Sequence, residues 1–152
     1  MAEHNILGKK GEELATNFLK KLGYQIIAVN WHERKFEMDI IAQDQNQLVF
    51  VEVKTRATDF FGSPVEAVTP AKQKHLVDGA NYYLEKHEID LDCRFDVVAV
   101  IFNNNQQKIE HFKDAFYPEL DWNYNLKETP ILPSETVFPP RNSKLIPNLS
   151  LK

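Results

Sequence analysis

Asp39, Glu52 and Lys54 are the residues whose types and spacing point to chemistry in this chain. They lie in two short apolar segments, Glu37-Met38-Asp39-Ile40-Ile41-Ala42 and Leu48-Val49-Phe50-Val51-Glu52-Val53-Lys54, separated by residues 43–47. Each segment reads as a strand, and a two-residue turn at Gln45 and Asn46 joins them, with Asn at the position that tolerates a left-handed backbone. That turn pairs residues whose numbers sum to 91, so Asp39 opposes Glu52 and Glu37 opposes Lys54. Side chains alternate faces along a strand, so all four project from one face. Directly opposed residues have Cβ atoms roughly 4.5–5.5 Å apart.

Two carboxylates that close repel each other. Such a pair persists if it shares a proton or binds a cation. Hard divalent ions take oxygen ligands, commonly one or two carboxylates with water and substrate phosphate. A lysine two residues along the same face adds positive charge where a transition state at phosphorus would need it. The set therefore points to metal-assisted attack on a phosphodiester. The plain rival is a solvated strand face in which Glu37 and Lys54 form an ordinary cross-strand ion pair. Against it, Glu52 and Lys54 interrupt the apolar run from Leu48 to Val53, where an unpaired charge is costly.

The flanking elements must bring this face into use. Residues 3–22 read as a helix, with Leu7, Leu14, Ala15, Phe18, Leu19 and Leu22 on one stripe. Glu12 falls at the stripe margin, a carboxylate within reach of a sheet-borne site, and Gly8 and Gly11 suggest close packing there. Residues 24–29 read as a first strand. Residues 57–64 read as a loop whose Phe60 and Phe61 either stack on bases or join the core. Thr69-Pro70 starts a helix over 70–87 with Leu76, Val77, Ala80, Tyr83 and Leu84 inward. Gln73 lies on that inward face, flanked by Lys72. Residues 94–102 form a near-continuous apolar run, a central buried strand in which Asp96 is expected to pair with Arg94 or with a backbone group. A turn over 103–107 leads to an edge strand at 108–112. The order is α-β-β-β-α-β-β, a mixed sheet flanked by helices.

At 152 residues the chain is long enough for one domain with a real core. The longest apolar run, Val97 to Phe102, is far below the ~20 residues of a membrane span. There is no signal-peptide pattern, and the lone Cys93 makes no internal disulfide, so a cytoplasmic setting is expected. The net charge of −4 argues mildly against nonspecific nucleic-acid affinity. It lies wholly in residues 76–152, with eight Lys or Arg against twelve Asp or Glu; residues 1–75 hold ten of each. Six of the eight prolines fall in 118–152, so that segment is expected to be a Pro-rich extension to a domain spanning 1–117.

In order and residues together the chain resembles the restriction-endonuclease-like PD-(D/E)XK nucleases, and more closely the YraN family of small bacterial proteins predicted to be endonucleases. The resemblance rests on Gly8-x-x-Gly11-Glu12-x-x-Ala15, Gly23-Tyr24, Asn30, residues 37–42, residues 49–56, Gly62, Lys72, Ala80, residues 94–98 and Ala115-Phe116. It implies a restriction-endonuclease-like αβββαβ core. It implies that Asp39 and Glu52 bind Mg²⁺ or Mn²⁺ and that Lys54 assists the nucleophile or transition state. A related branch, the archaeal Holliday-junction resolvases, uses a glutamate on the first helix, which Glu12 matches. Gln73 or Lys72 matches a helix position that supplies an auxiliary polar group. Arg56, Lys72, Gln73, Lys9 and Lys10 are the candidates for nucleic-acid contact, with DNA the expected partner. A resolvase-like task would require a symmetric homodimer. Phe36 departs from the YraN pattern, which usually has Gly there, and no proline precedes Asp39. The rival function is a catalytically silent nucleic-acid- or protein-binding module of the same fold.

Overall fold

The order expected from the sequence is the order observed. The computed structural model describes residues 2–58 and 62–118. Its elements are α1 (Ala2–Lys21), β1 (Gln25–Glu33), β2 (Phe36–Asp44), β3 (Gln47–Arg56), α2 (Pro70–Lys86), β4 (Asp92–Phe102) and β5 (Gln107–Phe116). The extension over 118–152 lies outside the described residues apart from Pro118, and Phe60 and Phe61 lie outside them too.

The sheet runs β1-β2-β3-β4-β5. Five strands in this order could follow one another by hairpins, but β3 and β4 are parallel. Parallel neighbours need a crossover, and α2 supplies it. β1–β2, β2–β3 and β4–β5 are antiparallel. The β2–β3 register is the one read from the sequence, from Asp44 opposite Gln47 to Ile40 opposite Val51. The left-handed turn residue is Gln45 (φ 55°), not Asn46.

Each face of the sheet carries one helix. On the α1 side, Ala15 and Leu19 pack on Ile40, Ala42, Val49, Val51, Val98 and Val100. On the α2 side, Leu76, Val77, Ala80, Tyr83 and Leu84 pack on Met38, Ile41, Leu48, Phe50, Phe95 and Val97. Leu22, expected on the α1 stripe, is instead exposed, because the helix has ended at Lys21. Of the two glycines expected to mark close packing, only Gly11 does. A Cβ there would overlap the Thr55 side chain, whereas one at Gly8 meets nothing within 4 Å.

The central strand β4 carries the expected Arg94–Asp96 pair, within a larger network. Arg94 Nε and Nη2 donate to Asp96 at 3.0 and 3.3 Å. Nη1 donates to Asp44 and Gln47, and Nη2 also to the Tyr24 hydroxyl. All five guanidinium N–H groups are thus used inside the protein. Asp96 also accepts from the Asp114 backbone N–H and lies 2.7 Å from His111 Nε2. Burial alone would raise the Asp96 pKa, but the bonds from His111 and Arg94 outweigh it and hold the carboxyl below its usual value. A charge network this complete is structural.

The glycine contrast gives a stability test. Gly11→Ala is expected to destabilise the fold by about 1–3 kcal/mol through overpacking, although Ala is the better helix former. Gly8→Ala should stabilise it by roughly 0.5–1 kcal/mol. Urea unfolding of both variants checks the sign of each.

Candidate active site

Met38 and Ile40 are two residues apart on β2, so a regular strand would point them to the same face. Met38 instead packs on the α2 side and Ile40 on the α1 side. Asp39 sits at this switch. Strand pairing between β2 and β3 stops at Ile40–Val51. At the next step the Asp39 carboxylate, not a strand partner, accepts the Val53 backbone N–H at 2.8 Å. β1 is irregular alongside, with Asn30 at φ 53°. The expected direct opposition of Asp39 and Glu52 is therefore replaced by a side chain inserted into the ladder.

The two carboxyl groups nonetheless meet. Glu52 is buried on β3, and its charge acts on Asp39. Burial first, and the Glu52 charge second, push the Asp39 pKa up from 3.8 to about 6. The Val53 N–H and Lys72 pull the other way without prevailing.

Cations reach Glu52 from two elements. Lys54 Nζ lies 3.4 Å from Glu52 Oε1, and Lys72 Nζ lies 3.9 Å from the same oxygen. The Thr69 hydroxyl caps α2 by accepting the Lys72 backbone N–H, and Pro70 sits inside the cap. That cap fixes the first turn of α2 beside the sheet. Lys72 also lies 3.6 Å from Glu37 Oε1, and Glu37 pairs with His32 at 3.4 Å. The expected Glu37–Lys54 pair is replaced by Glu37–Lys72 and Lys54–Glu52, since the ladder has already opened at Asp39. Glu52 Oε2 is buried with no hydrogen-bond partner.

The other candidates take different places. Gln73 spends its amide N–H on the Val68 carbonyl at 3.0 Å, closing the loop before α2, so Lys72 is the helix residue that reaches the carboxylates. Arg56 continues the β3 row and donates to the Gly62 carbonyl at 3.2 Å. Glu12 is half-buried on α1, next to the Gly11–Thr55 contact, and its backbone carbonyl accepts the Thr16 hydroxyl. Among the described residues no three His, Cys, Asp or Glu side chains converge as a metal-binding group, so Glu12 is not gathered with Asp39 and Glu52. Lys9 is exposed on α1, and Lys10 pairs with Glu13 at 3.2 Å.

Phe36 is buried against His75 and Tyr82, over the bare backbone of Gly79. It anchors the start of β2 to α2. The Tyr82 hydroxyl and Lys86 both donate to Glu33, and His75 Nε2 lies 3.0 Å from the Lys35 carbonyl. The first strand runs to Glu33, beyond the 24–29 expected from the sequence, and so forms a longer hairpin with β2. Gly79, on the inward face of a helix among aromatic residues, was the available signal.

The model of the uncharacterised protein family UPF0102 matches residues 11–100, which contain this whole arrangement. The chain belongs to the UPF0102 family. It is 54% identical over 117 residues to a UPF0102 protein of Flavobacterium psychrophilum, covering 77% of this chain and 98% of that one. A UPF0102 protein of Christiangramia forsetii is 49% identical with the same coverage. One of Bacteroides thetaiotaomicron is 48% identical over 120 residues, covering 79% of this chain and 99% of that one. The strands β2 and β3 that carry the site, the crossover helix and most of β4 fall inside the matched range. Among the described residues no helix is long and apolar enough to cross a membrane.

The raised Asp39 pKa makes stability depend on pH in a defined direction. The folded state holds the Asp39 proton more tightly than the unfolded chain does. Its contribution to stability is thus fully present below the ordinary carboxylate range and is lost as pH rises through about 6. Asp39→Asn should flatten that fall between roughly pH 4 and 7. Urea midpoints of wild type and variant across this range test it, and parallel curves would remove the assignment.

Proposed function

We propose that this UPF0102 protein is a divalent-metal-dependent nuclease that hydrolyses phosphodiester bonds of nucleic acid, with DNA as its substrate. One observation carries the reading. Glu52 is buried beside Asp39, with one oxygen held by lysines and the other without a hydrogen-bond partner. A buried carboxylate oxygen left unmatched is costly in a purely structural site and fits a place for a cation. Two carboxylates and a nearby lysine are the donor set that Mg²⁺ or Mn²⁺ uses with a phosphate substrate.

Asp39 and Glu52 would hold the ion, which supplies charge neutralisation and an acidified water. Lys54 places positive charge beside the carboxylates, where it favours charge developing on phosphate oxygens. Lys72, fixed by the α2 cap, bridges Glu52 and Glu37 and sets the position of the Glu52 head group. The Val53 N–H orients the Asp39 carboxylate. Glu12 enters through its place on the first helix and through the family resemblance, as a third ligand that is not gathered with the other two among the described residues. The rival reading, a silent binding module, is favoured by the absence of a third converging ligand among the described residues.

A labelled panel of four-way junction, flap, single strand, duplex and RNA, incubated with Mg²⁺ or Mn²⁺, tests the proposal. Wild type is expected to cut at least one form. Asp39→Asn and Lys54→Ala should each lower the rate by about 100-fold or more, and Glu12→Gln by less. Calorimetry should detect Mn²⁺ binding that Asp39→Ala weakens strongly. Folded wild type that binds Mn²⁺ yet cuts nothing would move the assignment to the binding module.

A further inference from the structure

The site continues along the α2 side of the sheet as a charged row. Glu52, Lys54 and Arg56 alternate along β3 and share a face. The β3–β4 register sets them beside Val97, Ala99 and Ile101. The β4–β5 register sets Ala99 beside Glu110 and Ile101 beside Lys108. Past Lys54 this face opens into a cleft of about 290 Å³. Lys54, Arg56 and Lys108 line it with Glu110, Gly62 and Pro64, over a floor of β4. Three cations against one carboxylate leave the cleft positive on a chain whose net charge is −4. Its far end is tied shut where the Asn103 amide donates to the Ala57 carbonyl at 2.6 Å.

The spacing identifies what fits. Two residues of strand advance about 6.6 Å. That is similar to the separation of neighbouring phosphates along a polynucleotide chain. We propose that Arg56 and Lys108 form a subsite for the phosphate adjacent to the one at Lys54, so that one nucleic-acid strand lies along β3 from Glu52 toward Arg56. This rests on the nuclease reading for the phosphate at Lys54 and adds the substrate's direction and a β5 residue. Arg56 is braced against Gly62, which holds its guanidinium at the cleft wall. Lys108 is half-exposed and lies 2.7 Å from Glu110, which tempers its charge. The cleft thus predicts opposite effects for the two residues of that pair.

The test uses the full chain and a fluorescein-labelled single-stranded DNA oligonucleotide, with Ca²⁺ in place of Mg²⁺. Anisotropy gives the affinity as a function of salt. Lys108→Ala should weaken binding and lower the salt slope by about 0.7, as expected for one phosphate contact on a single strand. Lys108→Arg should restore both, and Glu110→Gln should tighten binding, a gain that a folding defect would not produce. Wild-type binding with a slope unmoved by Lys108→Ala and Glu110→Gln would overturn the subsite. Mn²⁺ calorimetry on the same preparations separates the two claims. Oligonucleotide binding that responds to Lys108 without any Mn²⁺ binding supports the subsite and sinks the nuclease reading. Absence of both kinds of binding in wild type overturns both.

Discussion

The bond from the Val53 N–H to the Asp39 carboxylate is the constraint around which the rest of the site is arranged. A ladder between two central strands does not give up a position cheaply, because each buried N–H must find an acceptor. Here the acceptor is a side chain. By taking that N–H, Asp39 ends the β2–β3 pairing and turns β2 so that Met38 and Ile40 serve opposite cores. The same bond pins the carboxylate next to Glu52. The like-charge contact that would be destabilising between two mobile groups is thereby fixed in place, and the system answers with a raised Asp39 pKa and two lysines on Glu52.

The crossover helix is the second determinant. Because β3 and β4 are parallel, the chain must pass over one face of the sheet to connect them. α2 does so on the face that Glu52 occupies, and its capped first turn delivers Lys72 to the carboxylates. Phe36 and Gly79 clamp the other flank, where the β1–β2 hairpin meets the helix. The helix covers one end of that face and leaves the Lys54–Arg56 end open. One topological requirement thus both closes one side of the site and leaves the other accessible.

Element order and strand register were legible because they depend on local signals. The Gln45-Asn46 turn set the 91 register, Thr69-Pro70 set the start of α2, and apolar runs set β3 and β4. The approach of Asp39 to Glu52 followed from that register. What was not legible depended on contacts distant in sequence. The switch at Asp39 arises from a bond to a backbone group 14 residues away. The loss of the Glu37–Lys54 pair follows from that switch. Gln73 looked like a site residue because its face was right, but the loop carbonyl of Val68 claimed it. Lys108 joins the face only through the β4–β5 pairing, which no local pattern encodes.

Among the described residues two buried charge networks stand out, and their difference separates architecture from chemistry. Around Arg94 every guanidinium N–H has an acceptor, and Asp96 is held ionised by His111 and Arg94. The guanidinium at its centre has no N–H left to offer a ligand; its worth lies in joining β4 to the β2–β3 turn and to β5. Around Glu52 the pattern is the reverse. One oxygen attracts two cations at ion-pair distances of 3.4 and 3.9 Å, the other has no hydrogen bond, and the neighbouring carboxyl resists ionisation. A fold selected for stability alone would complete or remove such a set, since a half-satisfied buried network is worse than an apolar one. Incompleteness beside an accessible, positively charged cleft is therefore the physical argument behind the activity proposed for this end of the sheet.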